Sequence, residues 1–118
     1  MRRLALALLG LALAGCGADA GAPAAAGDPE RGRLLLRQYG CGGCHHIPGV
    51  AAADGNTGPP LDRIARRVYV GGVLANTPEN LARWIRAPQA IDPRTRMPDM
   101  QVSAAHARDM TAYLYRLK

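Results

Sequence analysis

The stretch Cys41-Gly42-Gly43-Cys44-His45 decides how the rest of this chain is read. Two cysteines separated by two residues and followed at once by histidine form the attachment signature of a c-type haem. Each thiol can add across one vinyl group of a haem, and the two intervening residues set the sulfurs at the spacing of the vinyls. His45 is then held under the iron as its proximal ligand. Covalent attachment fixes the cofactor in a chain too small to grip it by burial alone.

Three other readings compete for the cysteine pair. A disulfide between Cys41 and Cys44 would close a very short loop and stabilise little. A thioredoxin-like redox pair needs a βαβ context, and no strand-rich pattern surrounds the motif. A zinc site needs two more ligands at suitable spacing, and only His46 and His106 remain. The haem reading is the strongest of the four.

The chain has 118 residues, enough for one small domain. Residues 1–15 read as an export signal: Arg2 and Arg3 form a basic start and Leu4 to Ala12 a short apolar run. That run is too short to span a membrane. Leu13-Ala14-Gly15-Cys16 resembles the lipobox of bacterial lipoproteins, which implies lipidation of Cys16 as the mature first residue. A rival cut after Ala18-Asp19-Ala20 would discard Cys16 and release a soluble protein. Lipidation accounts for all three cysteines, one anchoring lipid and two anchoring haem. Residues 16–27 are then a lipid-anchored flexible linker rich in Gly, Ala and Pro.

The folded domain is expected over residues 28–118. It has one tryptophan, four tyrosines in the whole chain and no phenylalanine, a poor core for its size unless something apolar fills the centre. The formal net charge of +6 falls by two once Arg2 and Arg3 are removed. Export excludes nucleic acid as the partner of this charge, which suits an acidic docking partner or an anionic membrane surface.

Three helix starts are legible. Asp28-Pro29-Glu30 gives cap, proline and acid for a first helix that stops near Gly40 and delivers Cys41. Thr77-Pro78-Glu79 repeats the pattern for a short helix with Leu81, Trp84 and Ile85 on one face. Ser103 caps a last helix expected to reach Lys118, with Ala107, Met110, Leu114 and Leu117 as its buried stripe. His46 to Gly58 and Pro93 to Pro98 read as loops. The fold class is all-α: three to four short helices with long loops organised by a ligand.

The iron needs a second axial donor, and Met97, Met100, Met110, His46 and His106 are the candidates. His46 adjoins the proximal ligand and cannot reach the opposite face. Met110 and His106 lie on a helix whose stripe reads as core. Met97 lies in an irregular loop between prolines, where a thioether can point inward.

Residues 28–118 resemble the monohaem class I cytochromes c. Beyond the attachment motif, Gly58-Pro59-Pro60-Leu61 is similar to the Gly-Pro-x-Leu loop of that family. The match implies that the Pro59 carbonyl accepts the free N–H of His45. Pro93-Arg94-Thr95-Arg96-Met97-Pro98 resembles the methionine-ligand loop, with Arg94 where the family often has glycine. It implies Met97 as distal ligand and Thr95 near a haem propionate. The resemblance further implies Trp84 lining the methionine side of the pocket, Arg67 at a propionate, and Gly32 beneath Tyr113 and Tyr115 at a helix crossing. The segment Asn76 to Met100 is similar to haem domains that belong to or serve haem–copper terminal oxidases.

A His45/Met97 haem leaves no open position for substrate, and His/Met ligation raises the reduction potential. The expected function is therefore single-electron transfer between respiratory redox proteins, with one covalent haem c, toward a terminal oxidase. The protein would be tethered to the outer face of a bacterial membrane, without catalysis or a small-molecule substrate. The alternatives are a permanent haem subunit of a larger oxidoreductase, and a gas sensor in which Met97 dissociates.

Overall fold

The computed structural model describes residues 25–118. The expected export signal, Cys16 and most of the expected linker fall outside the described residues, while Ala25 already packs against the core.

Helix α1 (Pro29–Gln38) starts where its cap predicts: the Asp28 carboxylate accepts the N–H groups of Glu30 (2.9 Å) and Arg31 (3.1 Å). Gly40 follows in the left-handed region at φ 74°, and the chain turns directly into the attachment motif. Helix α2 (Pro78–Arg86) is capped by Thr77, whose hydroxyl accepts the Asn80 N–H at 3.1 Å. Leu81, Trp84 and Ile85 form its buried face. The one-turn helix α3 (Pro88–Ile91) follows at once, started by a buried proline. Helix α4 (Ala104–Leu114) is capped by Ser103 and buries Ala107, Met110 and Leu114.

The last helix ends at Leu114, short of the expected Lys118. Beyond it the Leu117 carbonyl accepts the Ala65 N–H at 3.2 Å, so the chain terminus serves a neighbouring loop instead of extending the helix. The fold also holds one strand pair that the all-α reading omits: β1 (Tyr69–Val70) and β2 (Leu74–Ala75), antiparallel with Val70 opposite Leu74. Gly71 and Gly72 turn the chain at φ 57° and 73°, and the Val73 N–H closes the turn on the Val70 carbonyl.

The most extensive packing joins α1 to α4. Gly32 sits in that contact, at the crossing of the first and last helices that the resemblance implies. A Cβ there would lie 1.9 Å from the Asp109 carbonyl oxygen and 2.9 Å from the Met110 nitrogen, so α1 rests on the backbone of α4 itself. Tyr113 and Tyr115 tie loops to α4. Tyr113 donates to the Pro48 carbonyl at 2.6 Å, and Tyr115 donates to Asn76 Oδ1 at 2.9 Å. Asn76 in turn donates to the carbonyls of Ile64 and Arg67. Burial pushes both phenols above their usual range.

Asp109 is 2% exposed and clamps the start of α1 to α4, accepting from Arg31 Nε at 2.6 Å and from the Asp28 N–H at 2.8 Å. The hydrogen bond from Arg31 holds its carboxyl below the usual carboxylate range. Its contribution is thus complete above the unfolded pKa of about 4 and fades as the pH falls through the lower folded value. Asp109→Ala leaves two donors unpaired and is expected to cost about 1–3 kcal/mol near neutral pH. Melting curves of the variant and the wild type should lie apart at pH 7 and converge in acid. A gap that stays constant with pH would contradict this role.

Candidate functional site

The attachment motif forms a tight 3₁₀ turn over Cys41–Gly43, closed by the N–H groups of Cys44 (3.2 Å) and His45 (3.0 Å) on the Cys41 carbonyl. Both cysteines are half-buried free thiols. Burial pushes the Cys41 thiol up, the opposite of the lowered pKa that marks a redox-active or nucleophilic cysteine. Among the described residues no group of three or more His, Cys, Asp or Glu could hold a metal ion, so the zinc reading has no support there.

The loop after the motif folds back and fixes the histidine. The Gly58 N–H donates to the Cys44 carbonyl at 2.7 Å, and the Leu61 N–H donates to the His46 carbonyl at 2.8 Å. This lays the backbone of Gly58 flat against the imidazole: a Cβ there would sit 2.5 Å from His45 Cε1. The next residue presents its carbonyl, and His45 Nδ1 lies 2.7 Å from the Pro59 oxygen. A carbonyl only accepts, so Nδ1 carries a proton and Nε2 is the ring nitrogen left free to serve as a ligand.

Cys41, Cys44, His45 and Pro59 line a cavity of about 400 Å³, within the usual range of cofactor sites. Trp84, Thr95, Met97 and Arg67 line the same cavity, so all eight cofactor residues named from the sequence meet on its surface. Leu36, Leu81, Ile85 and Leu114 give it an apolar interior, and the hairpin adds Tyr69, Val70 and Gly71. The chemistry of this donor set fits a haem c: two thiols and an imidazole on one turn, a thioether on another segment, and apolar walls between them.

The candidate donors to the iron fall into two groups. Met97 and Met100 line the cavity, whereas Met110 is fully buried in the core. His106 Nδ1 lies 2.9 Å from the Tyr39 hydroxyl, and His46 Nδ1 lies 2.8 Å from Asp62 Oδ2. Met97 is partly buried and Met100 is 39% exposed. Thr95 uses its hydroxyl locally, accepting the Met97 N–H at 3.2 Å. The Arg67 guanidinium donates to the carbonyls of Pro60 and Asp62, and so braces the loop that carries Pro59. Sequence reasoning missed Gln89, whose side-chain amide donates to the Met97 carbonyl at 2.6 Å. No motif marks it, because the contact depends on how α3 folds back over the loop.

No protein-family model matches the chain. Cytochrome c oxidase subunit 2 of Alkalihalophilus pseudofirmus is 34% identical over 90 residues, which cover 75% of this chain and 25% of that protein. The chain thus spans about a quarter of the length of the curated relative it matches. Among solved structures, cytochrome c2 from Rhodobacter sphaeroides superposes with a TM-score of 0.57 at 22% identity, covering 77% of this chain and 96% of that one. Among the described residues this chain has four helices, with the Cys-x-x-Cys-His turn after the first and the Met97 loop before the last, and its fold is that of the class I cytochromes c.

Proposed function

We propose that this protein is a membrane-tethered monohaem c-type cytochrome that passes single electrons between respiratory redox proteins, toward a terminal oxidase. The observation that carries the reading is the 2.7 Å contact of His45 Nδ1 with the Pro59 carbonyl on a cavity that also holds Cys41, Cys44 and Met97. A haem c bound here supplies a one-electron couple between ferrous and ferric iron.

Cys41 and Cys44 would hold the group through thioether bonds, and His45 Nε2 and the Met97 sulfur would be the donors to its iron. Donation of the Nδ1 proton to Pro59 fixes the ring orientation and makes Nε2 a stronger donor. The thioether is a poor donor to ferric iron and favours the reduced state. The apolar walls disfavour the extra charge of the oxidised state and act in the same direction. Lipidation of Cys16 and export to the outer face of a bacterial membrane complete the proposal. Among the described residues no helix is long and apolar enough to cross a membrane.

The test is a visible spectrum of the matured protein, oxidised and reduced, with and without carbon monoxide. The expected result is a low-spin haem c that ignores the gas. Met97→Ala should bind carbon monoxide stoichiometrically and lower the potential; an unchanged variant would transfer the ligand role to Met100. Ready binding by the wild type would favour the gas-sensor reading.

A second reading, a permanent haem subunit of an oxidoreductase, is favoured by the likeness to part of an oxidase subunit. Co-migration with a haem–copper oxidase after gentle solubilisation would select it over a mobile carrier.

A further inference from the structure

We propose that Gln89 is the positioning residue that keeps Met97 on the iron, through the hydrogen bond from its side-chain amide to the Met97 carbonyl. The inference rests on the His45/Met97 site proposed above.

The loop around Met97 is otherwise held by short-range bonds. The Arg94 N–H donates to Asp92 Oδ1 (3.0 Å), the Thr95 N–H to the Asp92 carbonyl (3.0 Å), and the Met97 N–H to Thr95 Oγ1 (3.2 Å). Each spans two or three residues, so all three can persist while the loop swings away from the cavity as one piece. The bond from Gln89 is different in kind. It spans eight residues, measures 2.6 Å, and starts from a helix that cannot swing with the loop. Pro88 anchors that helix by full burial, and its carbonyl accepts the Asp92 N–H at 2.9 Å to close the turn. Gln89 therefore links the backbone of the ligand residue to the rigid core.

The chemistry fixes the orientation of the amide. A carbonyl only accepts, so Nε2 must face it and Oε1 must face away. Gln89 itself is exposed and adds nothing to the core. Its loss should leave the fold intact and change only how often the loop opens. One solvent-exposed hydrogen bond corresponds to about a fivefold change in the open population. An external ligand can enter only when the loop is open, so its apparent affinity follows that population.

Imidazole titration of the ferric holoprotein reads this directly, together with the charge-transfer absorption of the sulfur–iron bond. Gln89→Glu keeps the size and removes the donor at neutral pH, while Gln89→Ala removes the side chain. Both should bind imidazole about fivefold more tightly and show a weaker sulfur–iron band, with melting temperatures close to wild type. Variants with wild-type imidazole affinity and band overturn the inference, including the case where only their melting temperature falls. A wild-type protein that lacks the band altogether overturns the proposed ligation and this inference with it.

Discussion

Replacing Gly32 with alanine is expected to lower the melting temperature by about 12–24 °C or more. Helix propensity alone gives the opposite sign, because alanine in a helix interior is favoured over glycine by about 1 kcal/mol. The structure decides between them. The added carbon would lie 1.9 Å from the Asp109 carbonyl oxygen and 2.4 Å from its carbon, and both belong to helix backbone. A side chain could rotate aside; α4 cannot. The helices must separate, and the loss is at least about 3 kcal/mol, the upper end for overpacked cores. Separation also strains the clamp between Asp109, Arg31 and Asp28, which crosses the same interface. Thermal unfolding of the holoprotein checks this, and a variant as stable as wild type would show that the contact is looser than its geometry.

The same position marks where sequence stops informing structure. Caps are local chemistry, so Asp28, Thr77 and Ser103 announce their helices in the sequence and start them in the fold. A small residue inside a helix signals a close crossing, and the resemblance names the last helix as the partner, but not the atoms that meet. The partner of Gly32 is the Asp109–Met110 backbone, which has no side-chain signature. The end of α4 was hidden for a related reason, since the stripe continues to Leu117 while the chain leaves the helix to meet Ala65. The hairpin did leave a signal, Gly71-Gly72 between Val70 and Val73, although strands of two residues are too short for alternation to register. Cys41, Cys44, His45, Pro59, Thr95 and Met97 were legible because each lies in a short motif. Gln89 was not, because its role is a contact across eight residues.

Changing Cys41 and Cys44 together to alanine is expected to have the largest effect of all. In the wild type, haem should resist extraction by acidified organic solvent, since thioether bonds survive it. In the double variant any haem should extract completely. Stability should fall with it, because the cofactor cavity of about 400 Å³ lies against Leu36, Leu81, Trp84 and Leu114, the centre of the core. At about 24 cal/mol per Å³, a dry void of that size would cost on the order of 10 kcal/mol. The cavity opens to solvent, so this is an upper bound, yet it matches the whole stability of a typical domain, about 5–15 kcal/mol. A variant that has lost its haem should therefore keep its helices only in part. Circular dichroism should report loss of helical signal at room temperature, and refilling by free haem should recover some of it through His45 and Met97. Retention of acid-resistant haem in the double variant would remove the covalent attachment from the proposal. A haem-free variant with a wild-type melting curve would show that the helices pack without the cofactor at their centre.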